Sequence, residues 1–178
     1  MTQDTFQTFL AKLSDLFPEL VANLNPPVDE AQLERLDRDL PFTLPDDVRS
    51  LYRLHNGESE RNGEPSGIFF GLPWLSLEGA LSDWQMWHGL ADGDFSDIDQ
   101  DIVSVPEGHI KKNYINTRYF PISRDGGGNN IVIDLDPGAE GVKGQVINYG
   151  RDEDTRYVIA PSLEDFLAFC IPLSAKAS

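Results

Sequence analysis

Apolar positions in the first half of the chain recur at helical spacing, whereas those in the second half alternate with polar ones. Phe6, Phe9, Leu10, Leu13, Leu16 and Phe17 return every three or four residues, which predicts an amphipathic helix that Pro18 ends. After an NPP turn at Asn25–Pro27, Asp29 and Gln32 have the spacing of a capping box, opening a short charged helix through Leu33 and Leu36. In TLPDDVRSLYRLHNG, Pro45 suits a first helical turn and Asp46 and Asp47 favour the positive end of the dipole. Val48, Leu51, Tyr52 and His55 form one face of that helix, and Asn56–Gly57 end it. SERNGEPSG reads as an exposed loop and IFFG as a short buried strand. Ser76 then caps a helix carrying Leu81, Trp84 and Trp87 or His88.

From Asp92 to Asp101 an acidic, turn-rich segment breaks the helical pattern, and beyond it the period changes. Ile131, Ile133 and Leu135 alternate with Val132, Asp134 and Asp136, a period of two that marks a sheet. PGAEGVKG reverses the chain into QVINYG, so the two runs are expected to pair as a hairpin. RDEDT is a further turn and RYVIA a further strand. SLED is a capping box for a last helix with Leu163, Phe166, Leu167 and Cys170 on one side, and SAKAS reads as a frayed tail. There is no internal repeat.

Composition narrows the function classes. A chain of 178 residues with ten Phe, five Tyr and three Trp is expected to bury one core. Fourteen Lys and Arg against thirty Asp and Glu leave a formal net charge of −16, which phosphate backbones repel. Direct nucleic-acid binding is therefore not expected, and a basic partner is. Cys170 stands alone, so the chain forms no internal disulfide and lacks cysteine-based metal spacings. The start MTQDTFQTFL lacks a basic n-region and an apolar h-region, and no apolar run approaches ~20 residues, so a cytoplasmic protein without membrane insertion is expected.

Chemical templates fit poorly. The triple glycine Gly126–Gly128 is followed by Asn129 and Asn130 where a Walker loop needs Lys and Ser or Thr, and by a strand where a dinucleotide loop needs a helix. An EF-hand frame started at Asp97 places Asp99 and Asp101 correctly but finds Ile102 at the glycine position and Gly108 in place of the bidentate glutamate. No G-x-S-x-G elbow occurs, and His55, His88 and His109 lack suitable neighbours. A carboxylate pair such as Asp125 and Asp134 carries little specificity among thirty acids. Neither a catalytic residue, nor a cofactor, nor a metal ligand is assigned. The glycine segment reads as a tight turn in which Asp125 and Asn129 make side-chain bonds and the glycines supply positive φ or a close backbone approach. Trp74, Trp84 and Trp87 read as core or interface anchors.

The succession LPDDVRSLYRLHNG, IFFGLPWLSLEGAL, YFPISRDGGGNNIVIDLDPGAEGVKGQVINYG and VIAPSLEDFLAF resembles the SUKH superfamily, in the branch that includes the fungal cell-wall assembly regulator. The likeness runs from about Val28 to Phe169. It implies an α+β fold, a largely antiparallel β-sheet with helices packed around it, and no catalytic machinery. The expected organisation is an N-terminal helix and turn at 1–27, one SUKH-like domain at 28–172 and a tail at 173–178. In that family Asp125, Gly126, Gly127, Gly128, Asn129, Asp134, Asp136, Pro137, Gly141, Gly144 and Gln145 would define turns of the fold. This chain departs from the commonest pattern at Tyr119–Phe120, where a Trp precedes Pro-Ile, and at Asn130, where a larger apolar residue is usual.

Bacterial members of the superfamily are similar to immunity proteins that neutralise a toxin, often a nuclease, and fungal members act as interaction hubs. The leading expectation from the charge and the resemblance is an immunity-type protein whose acidic surface covers a basic toxin domain. Asp92, Asp94, Asp97, Asp99 and Asp101 are the expected part of that surface. The alternative is a regulatory scaffold of the cell-wall type, followed by a small-ligand or calcium-binding protein.

Overall fold

The computed structural model describes residues 2–59, 63 and 66–174, so most of SERNGEPSG and of SAKAS lies outside the described residues. The elements run α1 (Thr2–Leu16), α2 (Pro18–Ala22), α3 (Glu30–Asp39), α4 (Asp46–Tyr52), α5 (Leu77–His88), α6 (Ser96–Asp99), β1 (Val103–Val105), β2 (Tyr119–Arg124), β3 (Asn129–Asp134), β4 (Gln145–Gly150), β5 (Thr155–Ala160) and α7 (Leu163–Ser174). This is an α+β fold whose five-stranded sheet is mostly antiparallel. Contacts cluster into two compact units, Met1–Leu77 with Leu163–Ser178, and Glu78–Ser162.

In the first unit the stripe Phe6, Phe9 and Leu13 is buried, and α1 packs along α7. Thr5 Oγ1 donates to Glu164 Oε1 at 3.0 Å, fixing the start of α7 on α1. Pro18 does more than stop α1, because it occupies the first turn of α2, where a missing N–H costs nothing. Phe6 meets Trp74 edge-on at 5.3 Å and Phe69 meets Phe166 at 5.2 Å, so aromatic rings from three segments, α1, the loop holding Phe69 and Trp74, and α7, form this core. Each such ring stabilises the fold by roughly 1.5–3 kcal/mol on burial. Asp29 and Gln32 form both bonds of the capping box.

Two local expectations need correction here. His55 lies beyond α4, which ends at Tyr52. The Val28 N–H bonds Tyr52 O and the Asn56 N–H bonds Pro26 O, drawing residues 52–57 out of the helix toward 24–28. IFFG is not a strand but a tight turn. Phe69 and Leu72 exchange backbone hydrogen bonds of 3.0 and 2.9 Å, leaving Phe70 and Gly71 at the corner with φ of 59° and 83°. Positive φ at both central positions defines a primed turn, where a ring-bearing residue is strained by roughly 1–2 kcal/mol. Glu58 holds this loop from within. Its buried carboxylate accepts the N–H groups of Gly67 (2.7 Å), Ile68 (3.2 Å) and Trp74 (2.6 Å).

In the second unit the strand order is β1-β5-β4-β3-β2, with only β1 and β5 parallel. β3 and β4 pair as expected from PGAEGVKG, in the register Ile131↔Asn148 and Ile133↔Val146. The segment YFPISR ahead of the glycines is strand β2. A bulge at Ile122 lets two residues oppose one of β3, so β2 is buried almost continuously and shows no alternation. One sheet face carries a core of Trp87, Ile110, Tyr119, Val132, Ile147 and Tyr149.

Candidate functional site

The glycine segment is the hairpin turn between β2 and β3. Asp125 Oδ1 accepts the N–H groups of Gly127 (2.6 Å) and Asn129 (3.0 Å), and Oδ2 accepts the Asn129 side-chain amide at 2.8 Å. Those bonds to the charged form, the Asn129 side chain first, hold the exposed Asp125 carboxyl below its usual range. Gly126 and Gly128 sit at φ of 78° and 98°, where a Cβ is strained. The loop is joined to the next turn: Arg151 N–H donates to Gly128 O at 3.1 Å and Asp152 N–H to Asn129 Oδ1 at 3.1 Å.

Strand directions then gather the acids. Because β1 and β5 are parallel and β5 is antiparallel to β4, the β2–β3 turn, the β4–β5 turn and the start of β1 share one end of the sheet. Val103 N–H donates to Asp154 O at 2.8 Å across that end. Asp101 and the turn acids Asp152 and Asp154, all exposed, thus come together. Asp92, Asp94 and Asp97 are exposed as well, but Asp94 accepts the Ser96 N–H. Asp99 is half-buried and its carboxylate accepts the Tyr114 N–H, so it anchors a loop.

Asp134 closes the other end of β3, and Asp136 lies two residues beyond it. Asp134 is buried, its carboxylate accepting Gln145 Nε2 at 2.9 Å and the Asp136 N–H at 2.9 Å. Burial pushes the carboxyl up to about 6 although the Gln145 bond opposes it. Asp136 pairs with Lys111. Asp125 and Asp134 therefore stand at opposite ends of a strand roughly 17 Å long, too far apart to act on one bond. Burial raises the Cys170 thiol to about 12. His88 stacks on Trp84 at 4.6 Å, and the Nδ1 atoms of His55 and His109 face backbone carbonyls. Among the described residues no group of three or more His, Cys, Asp or Glu side chains is placed to hold a metal ion, and no helix is long and apolar enough to cross a membrane.

Buried charges that sequence patterns did not single out shape this unit. Asp83 accepts Arg124 at 3.0 Å and the Asn130 amide at 2.8 Å, while Asn130 Oδ1 accepts the Trp87 indole N–H at 3.0 Å. A groove of about 390 Å³ opens beside them, lined by Asp83, Met86, Arg124, Gly126 and Asn130. Arg156 is fully buried, donating to the carbonyls of Asn113 (2.8 Å) and Tyr114 (3.1 Å) with its guanidinium 4.8 Å from the centre of the Tyr149 ring.

A mixed sheet with a bonded glycine turn, a buried polar core and acids gathered at one end defines an α+β module with carboxylates on its surface. The profile of the SMI1 / KNR4 family (SUKH-1) matches residues 27–168, and the chain belongs to that family, within the SUKH superfamily. Over 148 residues it is 39% identical to the cell wall biosynthesis/cell cycle regulator smi1 of Schizosaccharomyces pombe, covering 78% of this chain and 29% of that protein. It is 34% identical to a glucan synthesis regulatory protein of Neurospora crassa, covering 85% of this chain and 34% of the relative. Identity to the cell wall assembly regulator SMI1 of Saccharomyces cerevisiae is 26%, with 84% and 36% covered. The chain spans about a third of the length of these relatives. Such relatives support the regulatory alternative over the immunity-protein expectation and give no support to a toxin partner.

Proposed function

We propose that this chain is a regulatory protein-binding module of the kind carried by fungal cell-wall and glucan-synthesis regulators, acting through contacts rather than through catalysis. The observation that carries this reading is the family match over residues 27–168, with relatives named as regulators of wall or glucan synthesis. The geometry supports it. Asp125 and Asp134 are separated by a strand, the Cys170 thiol is buried and held protonated, and the glycine turn is closed by its own side chains. A net charge of −16 suits a scaffold with basic partners in an intracellular setting as well as it suits a toxin inhibitor.

The test is affinity capture with the tagged chain from the lysate of a fungus that carries no toxin gene, quantified against the tag alone. Specific enrichment of several host proteins, wall-synthesis or signalling components among them, is expected. A bead as empty as the control at low and at high salt would overturn the reading, as would capture of one dominant basic toxin from a toxin-bearing source.

A further inference from the structure

The terminal strand pair of the sheet carries three partly exposed apolar side chains. Val103 and Val105 on β1 alternate with buried Ser104, and register pairs Val105 with Tyr157 on β5. These three side chains are 44%, 37% and 51% exposed and share one face of the terminal strand pair. A lone exposed apolar side chain is ordinary, but a register pair, Val105 and Tyr157, with Val103 on the same face of the edge strand forms a patch whose desolvation favours association. Ser104, pointing the other way, is tied down: its hydroxyl donates to Pro106 O at 2.6 Å and accepts the Ile110 N–H at 2.9 Å. The edge is thereby held in one shape before any partner arrives, which lowers the entropy cost of binding.

The surroundings say what the patch accepts. At the start of β1 and β5, where the strands run parallel, lie the exposed carboxylates of Asp101, Asp152 and Asp154. Arg151 at that end is an exposed side chain 3.7 Å from Asp152, and Arg156 is turned inward and fully buried. An apolar strip with anions at one end is complementary to a segment that has apolar side chains next to a cluster of Lys or Arg. Resting on the regulatory reading above, we infer that the Val103–Val105–Tyr157 face, with Asp101 and Asp154 at its end, is the docking surface for a basic-apolar peptide segment of a partner protein. The apolar residues sit on the strip and the cationic end lies over the carboxylates, which steer the approach.

The experiment is a titration of the folded chain with a labelled synthetic peptide, a run of lysines followed by an alternating valine–threonine tract, beside a lysine-only control. Saturable binding of the full peptide is expected. The triple variant Val103→Thr, Val105→Thr, Tyr157→Thr places a β-branched residue at each strand position and should weaken binding about tenfold or more. The pair Asp101→Asn, Asp154→Asn is exposed, leaves the fold intact, and should flatten the salt dependence of the association rate. Equal binding by wild type and both variants, or no saturable binding by the wild type, would overturn the inference. Repeating the fungal capture with the triple variant separates the two readings. If wild type and triple variant retain the same partners, the docking surface is wrong and the regulator reading stands; if the wild type retains none, that reading fails and the peptide titration alone decides the surface.

Discussion

The Asn130 amide donates to Asp83 Oδ2 at 2.8 Å and to Ser123 O at 3.0 Å, while its carbonyl oxygen accepts the Trp87 indole N–H at 3.0 Å. One short side chain satisfies three buried groups, one of them a carboxylate. Asn130→Leu keeps the branched shape of the side chain and deletes all three bonds, so a loss of about 2–4 kcal/mol in unfolding free energy is expected by urea denaturation. A loss under about 0.5 kcal/mol would show that the three groups find other partners.

Asp134 gives a pH dependence with a defined sign. Its folded-state carboxyl is raised to about 6 from an ordinary 3.8, so the folded chain holds a proton that the unfolded chain has released. Stability from this group is fully present below about 4, declines as pH rises from about 4 to 6, and is constant above. A shift of that size corresponds to roughly 3 kcal/mol. In Asp134→Asn the decline disappears, so the variant gains on wild type by about 2–3 kcal/mol between pH 4 and pH 7 in paired denaturation curves. A difference that is flat with pH would contradict the assignment.

Glu58 accepts three backbone N–H groups, and burial, the dominant influence, raises its carboxyl. Glu58→Gln places an amide N–H against backbone donors. The variant should lose about 2–3 kcal/mol, read as a lower urea midpoint at unchanged slope.

The β2–β3 turn offers a control that separates fold from binding. In Gly128→Ala the new Cβ takes a φ of 98° and lies 2.9 Å from Arg151 Cδ. Destabilisation of about 1–2 kcal/mol is expected, with peptide affinity at the β1 edge unchanged at temperatures where the variant is folded.

Much of this was legible in the sequence because the governing interactions are local. The Asp29–Gln32 capping box and the β3–β4 pairing depend on residues close in the chain, and spacing alone reveals them. Other features depend on distant partners. β2 carries Pro121 and a bulge at Ile122, and it is buried from Tyr119 to Ser123, so neither alternation nor composition marked it as a strand. The strain at Phe70 and the burial of Arg156, Asp83 and Glu58 come from tertiary contacts that no periodicity encodes. Among the acidic residues, sequence located the run Asp92–Asp101 but could not tell that Asp99 anchors Tyr114, or that parallel pairing of β1 and β5 sets Asp101 beside Asp154.

The proposed role of this chain as the regulator module of its family is open to a direct domain exchange. The segment of the Schizosaccharomyces pombe regulator that matches this chain is replaced by the chain itself, and growth is measured in cells lacking the native regulator under a cell-wall-damaging compound. Growth restored to near the level given by the native protein is expected. An exchange protein that is present at native abundance and folded, yet leaves the cells as sensitive as the deletion, would contradict it.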